Sequence, residues 1–255
     1  MRTTAVFLIT LISIVLLFWQ GAPQTTPGTF RAEQMKYSRV KAAYTEKWNG
    51  IDLRLKELDV QVTALEVFIR SFKHEKVTEV WVKNKTDKTW KKYRDYKVCM
   101  SSGELGPKRC QGDGQVPEGF YHMNIFNPYS NFHLSLGVSY PNASDRVLAC
   151  KRDPGRAIMI HGDCVTIGCI PLTDDKIKEV YVLSVEARNA GQQKIPIHIF
   201  PTRMSEERLR EIKATTEDAS VKLFWDNLKT GYDYFETKTA LPVVTVDAKG
   251  KYIFR

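Results

Sequence analysis

Several features that would assign a function at once are missing from this sequence of 255 residues. It has no long run of lysine and arginine, no zinc-finger spacing and no aromatic signature of RNA-binding domains. The formal charge of +9 therefore indicates a surface that favours anionic neighbours in general, and we expect no nucleic-acid partner. The Gly-rich stretch SSGELGPKRCQGDGQVPEGFY (residues 101–121) lacks the G-x-x-x-x-G-K-[ST] spacing, which argues against a P-loop.

The composition that is present is that of a globular protein. Hydrophobic residues make up 43% of the chain and charged residues 26%, and the sequence contains no internal repeat or low-complexity segment. The length suits one large domain, or one domain with extensions. We expect a monomer.

The first residues predict export. The apolar run Ala5–Trp19 is shorter than the roughly 20 residues that a membrane helix prefers, and it fits the apolar region of a secretory signal. No small-x-small cleavage site is obvious around residues 20–22, so an uncleaved anchor in the inner membrane stays open. We interpret residues 1–21 as an export signal or signal anchor and the Pro/Gly/Thr-rich residues 22–31 as a linker. The body is expected in the periplasm in both cases.

Helical patterns are predicted at both ends of the chain. The first runs from Arg31 to Trp48, where Asn49-Gly50 breaks it, and a second short helix follows through Leu58. Further helices are predicted for TDDKIKEVYVLSVEARNAG, with Thr173 or Asp174 as its N-cap, and within residues 205–236. LPVVTVDAKGKYIF predicts a closing hairpin with Lys249-Gly250 at its turn.

Strand signals fill the middle of the chain. Short segments rich in β-branched and aromatic residues are ALEVFIRSF, VTEVWVKN, YRDYKVCM, FHLSLGVSY (132–140), RAIMIHG (156–162) and KIPIHIFP. KNKTDK predicts the turn between the second and the third. The pattern as a whole predicts an α+β protein with a β-rich core.

The five cysteines direct attention to HGDCVTIGCIPLTDD (161–175). An exported protein can hold disulfides, and an odd count leaves at least one thiol over. Cys169 has the setting of a nucleophile, because His161 at a strand end can act as its base and Gly168 permits a tight turn. The N–H groups of Gly168 and Cys169 could then point at a developing oxyanion. Cys164 lies in mid-loop and is the better candidate for a structural residue.

Two other interpretations of these cysteines stay open. His161, Cys164 and Cys169 could ligate zinc, although H-x2-C-x4-C is not a familiar arrangement and a fourth ligand is hard to name. The cysteines could instead form disulfides, and Cys99 and Cys110 flank a loop across which they could pair.

IHGDCVTIGC resembles the active-site signature of the YkuD-type L,D-transpeptidases, particularly the YafK-like branch. That signature is His-Gly, a gap, and then Ser/Thr-x-Gly-Cys. Other blocks are similar to that branch in the same order, namely FIRSFK, SSGELGPKRCQGDGQVPEGFY, FNPYSNFHLSLGVSYPN and IPIHIFP. The resemblance covers residues 65–202 well and the helical tail to about residue 239 more loosely.

The resemblance implies a cysteine acyltransferase without cofactor or metal. Cys169 would be the nucleophile and His161 the base, later the acid, with the Gly162 carbonyl orienting the imidazole and Thr166 and Gly168 supporting the loop or the oxyanion. The substrate would be a peptidoglycan stem peptide that loses its terminal D-alanine and is joined, third residue to third residue, to a neighbouring stem. If water attacks instead, the enzyme is a carboxypeptidase or amidase. A wall-binding module that lost catalysis is the rival from another class.

Two residues depart from the common pattern, and several polar residues are further candidates. Ile167 stands where many members have histidine, and Val116 where threonine is usual before Pro-Glu-Gly. The resemblance makes Tyr121, His122 and His133 candidates for substrate contact. Lys108 and Arg109 could meet the carboxylates of a stem peptide.

These inferences give one division of the chain. After the leader and linker come N-terminal helices at 32–60, a YkuD-like L,D-transpeptidase catalytic domain at 61–202, and a helical C-terminal extension with a hairpin at 203–255.

Overall fold

The computed structural model describes residues 29–150 and 153–255. The expected export signal and anchor, residues 1–21, lie outside the described residues. Within the part that is described, no helix is both long and apolar enough to cross a membrane. The helices in this part are α1 (Thr29–Gln34), α2 (Ser38–Glu57), α3 (Ala143–Leu148), α4 (Asp174–Asn189), α5 (Glu206–Ala214) and α6 (Ala219–Lys238).

A mixed sheet of eight strands forms the centre of the protein, in the order β3-β2-β1-β8-β4-β5-β6-β7. Its strands are β1 (Leu65–Phe72), β2 (Val77–Asn84), β3 (Lys91–Lys97), β4 (Gly119–Asn127), β5 (Ser135–Val138), β6 (Met159–His161), β7 (Ile170–Pro171) and β8 (Pro196–Phe200). The pairs β1/β8 and β6/β7 are parallel and the other pairs antiparallel. The hairpin β9 (Val244–Val246) and β10 (Tyr252–Phe254) forms a second, two-stranded sheet. The α+β prediction is confirmed.

Strand β1 is buried on both faces, which places helices on both sides of the sheet. Leu65, Val67 and Ile69 belong to the core shared with α2 and α4. Phe72 belongs to a second core with α5, α6 and β10, because side chains alternate between the faces of a strand. The C-terminal helices therefore cover the face of the central strands that α2 and α4 leave open.

The first helical segment differs from the prediction. A first helix ends at Gln34, and α2 then continues through Asn49-Gly50 to Glu57 without a break. Ile51 and Leu55, beyond the expected break, are fully buried with Val40. Burying an aliphatic side chain stabilises by about 1.5–3 kcal/mol, more than the roughly 1 kcal/mol that a helical glycine costs relative to alanine.

The strand predictions around the cysteine segment were too long. RAIMIHG forms a strand only at Met159–His161, and FHLSLGVSY only at Ser135–Val138. Helix α3 was not predicted, although Asn142 and Asp145 form a capping box at its start that the sequence displays.

Two disulfides join segments that are distant in sequence. Cys99 bonds to Cys164 and Cys110 bonds to Cys150. The expected pairing of Cys99 with Cys110 is therefore wrong, because each of these thiols is bonded across the fold instead of across the loop between them. Cys164 is structural, and its partner is Cys99.

Candidate active site

The candidate base and nucleophile lie on adjacent parallel strands at the edge of the sheet. His161 ends β6 and Cys169 immediately precedes β7, with Ile160 paired to Ile170 and His161 to Pro171. Side chains two residues apart on a strand share a face, so Cys169 lies on the same face as Pro171 and His161. Ile160 and Ile170 point to the opposite face, where they enter the core. The register thus makes Cys169 and His161 diagonal neighbours on one face.

The His161 imidazole is held in one orientation. Its Nδ1 lies in short hydrogen-bond contact with the carbonyl oxygen of Gly162, and because a carbonyl only accepts, Nδ1–H donates. The Phe132 ring lies 4.7 Å from it, centroid to centroid. Burial lowers the pKa of His161 below its ordinary value, while the Gly162 bond and the charge of Asp163 act in the opposite direction. The imidazole is thereby kept neutral, with Nε2 as the free acceptor that a base needs.

Thr166 closes the turn that carries Cys169, the candidate nucleophile. Its hydroxyl donates to the Cys169 carbonyl at 2.9 Å and accepts from the N–H groups of Gly168 at 3.1 Å and Cys169 at 2.8 Å. Both N–H groups are thus occupied, which differs from the expectation that they point at an oxyanion. Gly168 contributes its backbone conformation instead, because its φ of +135° is one that side-chain-bearing residues rarely adopt.

Cys169 is the one cysteine of the described chain that is not in a disulfide. Its Sγ lies 3.7 Å from the carbonyl oxygen of Ala157. Burial raises the pKa of the Cys169 thiol above its ordinary value, and a backbone hydrogen bond from Met159 and the charge of Lys108 offset part of this rise. The thiol therefore needs a base to become a nucleophile at neutral pH.

Two cavities meet at Cys169. On one side a cleft of about 390 Å³ is bounded by Lys108, Arg156 and Ile167. On the other side a small cavity of about 20 Å³ is lined by Phe72, Lys73, Val116 and Ser101. Ile167, which precedes Gly168-Cys169, has 88% of its surface exposed. It therefore places an exposed apolar side chain at the edge of the cleft. Val116, the residue at the second departure, lines the small cavity.

The Cys99–Cys164 disulfide anchors the loop between base and nucleophile to the end of β3. The bond occupies the Cys164 sulfur, which contradicts the zinc interpretation because a zinc ligand must be a thiolate. Within residues 29–150 and 153–255, no group of three histidine, cysteine, aspartate or glutamate side chains is placed to hold a metal ion.

The three other candidates from the sequence lie in different environments. Tyr121 is buried and its hydroxyl donates to the Glu118 carbonyl at 3.0 Å, so it is part of the core and does not line the cleft. His122 lines a separate groove, with its Nδ1 3.1 Å from the Ser139 hydroxyl. His133 lies beside Gly162 and has a buried Nε2 without a hydrogen-bond partner.

Lys108 and Arg109 differ from solvated surface bases. Lys108 is buried at the edge of the cleft, and its ammonium donates to Asp113 and to the Cys110 carbonyl. Arg109 contacts the buried carboxylate of Asp145 at 3.3 Å. Both cations have intramolecular partners, and Lys108 is the one whose charge reaches the Cys169 thiol.

Asp174 is a site residue that the sequence indicated only as a helix cap. Its Oδ1 accepts from the Asp163 N–H at 2.8 Å, across the gap between the start of α4 and the turn after His161. Thr173 occupies the N-cap position without a side-chain capping bond, and Asp174 is the first residue of α4. Sequence spacing does not reveal the contact with Asp163, because it depends on how α4 packs under the loop.

Comparisons with known proteins identify the family of this chain. Residues 66–197 match the YkuD family, the L,D-transpeptidase catalytic domain. The Escherichia coli (strain K12) protein named "Putative L,D-transpeptidase YafK" is 36% identical over 200 residues, which are 78% of this chain and 77% of that protein. The chain belongs to the YkuD-type L,D-transpeptidase family, and within it is similar to YafK.

Two solved structures resemble the fold. The helical cell shape determining protein Pgp2 from Campylobacter jejuni matches with a TM-score of 0.43 and 16% identity over 77% of this chain and 80% of that one. Mycobacterium tuberculosis L,D-transpeptidase 1 matches with a TM-score of 0.30 and 14% identity over 53% of this chain and 62% of that one.

Proposed function

We propose that this protein is an L,D-transpeptidase that acts on peptidoglycan stem peptides through an acyl-enzyme on Cys169. The observation that carries the proposal is the free thiol of Cys169, which lies on the same sheet face as His161, diagonal to it in the strand register, where two cavities meet. Family membership supports the substrate class. The cleft of about 390 Å³ is the one of the two with room for part of a peptide substrate.

The reaction has two halves. Nε2 of His161 removes the Cys169 proton, and Sγ attacks the carbonyl carbon at the L-centre of the third stem residue. As the tetrahedral intermediate collapses, the imidazolium returns the proton to the leaving amine of D-alanine and a thioester remains. The amine of a second stem then attacks the thioester, His161 accepts its proton and passes it to the departing thiolate, and a new amide joins the two stems. Water in place of the amine gives hydrolysis.

Lys108 and Thr166 serve the nucleophile in this scheme. The buried ammonium of Lys108 favours the thiolate form of Cys169, because an opposite charge stabilises the charged state. Thr166 holds the turn so that Sγ faces the cleft. An oxyanion would then need either movement of the Thr166 hydroxyl away from the N–H groups or a donor from elsewhere in the cleft.

Purified protein incubated with tetrapeptide muropeptides, with products followed by mass spectrometry, tests the proposal. Dimers that lack one D-alanine are the expected product. Tripeptide monomers alone would replace transpeptidation by L,D-carboxypeptidase activity at the same site. Unchanged muropeptides, together with a Cys169 that a carbapenem does not acylate, would contradict enzymatic function and support a wall-binding module.

Two variants make the test specific for the thiol. Cys169→Ala is expected to abolish acylation, since it removes the attacking atom. The double variant Cys99→Ser/Cys164→Ser retains the Cys169 thiol and is expected to be acylated at a reduced rate. If the double variant loses acylation and Cys169→Ala keeps it, the nucleophile is assigned wrongly.

A further inference from the structure

One peptide group stands between the base and a carboxylate that no step of the reaction uses. The peptide bond joining Gly162 to Asp163 presents its carbonyl to Nδ1 of His161 and its N–H to Oδ1 of Asp174. The two contacts lie at opposite ends of one rigid plane. Whatever fixes the N–H therefore also fixes the direction of the carbonyl.

The surroundings of Gly162 confirm that Asp174 packs closely against this peptide plane. A Cβ on Gly162 would lie 2.5 Å from Oδ1 of Asp174 and 2.9 Å from the Phe132 carbonyl oxygen. The Gly162 N–H donates to the carbonyl of Leu134 at 3.2 Å, which holds the preceding peptide to the residue just before β5. Glycine is thus the residue whose backbone can approach the carboxylate, and the turn is fixed from both sides.

We propose that Asp174 is a positioning residue for the base: by accepting from Asp163 N–H it orients the Gly162 carbonyl that holds the His161 imidazole. This inference rests on the proposed function, in which His161 is the base. The Asp174 carboxylate thus acts on the imidazole through a backbone peptide group, whereas in other catalytic triads a carboxylate contacts the histidine directly. Asp174 lies at the surface, where solvent screens charge, so it acts through its hydrogen bond more than through its charge.

The charged groups around this turn come from several elements. Asp163 faces His161 from the loop itself. Asp174 and Lys178 on α4, and Arg39 and Glu46 on α2, act on the neighbouring His133. None of these other groups contacts the peptide plane between Gly162 and Asp163, so Asp174 is the side chain whose removal tests its orientation.

The experiment compares Asp174→Ala, Asp174→Asn and Asp175→Ala. Asparagine keeps the accepting Oδ1 and removes the charge. Asp175→Ala is the matched control, because Asp175 is the next residue of the same helix end and pairs with Lys47 instead of the turn. Asp174 is exposed at the first position of α4, so we expect Asp174→Ala to fold. Thermal melts of Asp174→Ala and Asp175→Ala check this expectation.

The first readout is the tautomer of His161, which needs no turnover. In the NMR spectrum of ¹⁵N-histidine-labelled protein, the His161 signal is identified among the five histidines by its absence from His161→Gln. Wild type, Asp174→Asn and Asp175→Ala are expected to show the Nδ1–H tautomer of His161. Asp174→Ala is expected to show a mixture of tautomers, because the carbonyl is no longer held. A pure Nδ1–H tautomer in Asp174→Ala would overturn the proposal.

The second readout is the turnover of muropeptides. Asp174→Ala is expected to lower kcat about tenfold with little change in KM, while Asp174→Asn stays close to wild type. An Asp174→Asn variant as slow as Asp174→Ala, or an Asp174→Ala variant as fast as Asp175→Ala, would overturn the proposal. If wild type turns over no muropeptide, the proposed function fails, and the tautomer measurement still decides the role of Asp174.

Discussion

At the scale of single residues, the site combines a neutral imidazole, the candidate base, with a thiol that is hard to ionise. Burial lowers the pKa of His161 and raises that of Cys169, so the two values move apart. At pH values between these two pKa values both groups are uncharged, so the proton must leave the thiol during the reaction. This differs from cysteine enzymes in which a preformed thiolate–imidazolium pair is the resting state.

The pH dependence of the site follows from these two shifts. The base is active when neutral, so the acid limb of kcat/KM is expected below about pH 6.5, the ordinary histidine value. Alkylation of Cys169 by iodoacetamide follows the thiolate and is expected to rise with a midpoint above about pH 8.5. Rates measured from pH 4 to 10 check both limbs. His161→Gln is the control, because it should lose turnover across this range and keep the pH dependence of Cys169 alkylation. An alkylation rate that has already reached its plateau at neutral pH would indicate a preformed ion pair.

The candidate base and nucleophile could be predicted from the sequence, and the contacts that support them could not. His161 and Cys169 stand close together in one motif, and the resemblance to the family added Gly162. From the sequence, Asp174 could be predicted only as a helix cap, because its contact with Asp163 depends on tertiary packing. The occupied N–H groups of Gly168 and Cys169 were equally hidden, because the Thr166 hydroxyl can turn inward or outward from the same sequence.

At the scale of elements, the loop from β6 to β7 is tied to the rest of the protein by the Cys99–Cys164 disulfide. The other disulfide, Cys110–Cys150, joins the Gly-rich loop to the end of α3 and serves as a matched comparison. The two bonds span 65 and 40 residues, so the chain-entropy model gives them similar effects on the unfolded state.

Removing either disulfide is expected to lower stability, and removing Cys99–Cys164 is expected to lower activity more than removing Cys110–Cys150. Cys99→Ser/Cys164→Ser and Cys110→Ser/Cys150→Ser should each lower the free energy of unfolding by about 2–4 kcal/mol, measured by urea denaturation. The first pair should also lower kcat/KM about tenfold, equivalent to about 1.4 kcal/mol, because its loop carries the nucleophile. Equal losses of activity in both pairs would contradict a special role for the bond beside Cys169.

Element predictions succeeded where local patterns decide and failed where packing does. The hairpin at Lys249-Gly250 was confirmed, with β9 and β10 on either side. The break at Asn49-Gly50 was wrong, because the buried stripe of α2 continues across it. Helix α3 was missed even though its capping box is local, since its six residues are too few to show a helical period.

At the scale of the whole molecule, a buried carboxylate joins the C-terminal helices to the sheet and the Gly-rich loop. Glu118 is fully buried, and its Oε2 accepts from Trp225 Nε1 at 2.8 Å. Its Oε1 accepts from the Gly106 N–H at 2.8 Å and pairs with the Lys73 ammonium at 3.0 Å. Lys73 lines the small cavity beside Cys169, so the C-terminal extension supports one wall of the site.

Breaking this connection is expected to destabilise the whole protein. Glu118→Gln leaves the buried Lys73 ammonium without a carboxylate and should lower the free energy of unfolding by about 3–5 kcal/mol. Urea denaturation measures the change, and Glu33→Gln, which removes an exposed partner of Lys36, should cost less than about 1 kcal/mol. Adding Lys73→Met to Glu118→Gln should recover part of the loss. A Glu118→Gln variant as stable as Glu33→Gln would show that the pair is dispensable.

The order of the strands could not be obtained from the sequence. Strand β8 inserts between β1 and β4, and its pairing with β1 is parallel, so the partners come from opposite ends of the catalytic domain. Strand propensity identifies each segment but does not select its neighbours, because the backbone groups that pair are the same in every strand.

The assignment of four thiols to two disulfides makes the folded protein its own active-site standard. With every cysteine but Cys169 already bonded, one equivalent of a thiol reagent counts competent sites in a native preparation. Reduction and unfolding bring the count to five, so five times the ratio of the native titration to the reduced one gives the fraction of molecules in which Cys169 is a free thiol. Specific activities from different preparations can then be compared per working site instead of per milligram.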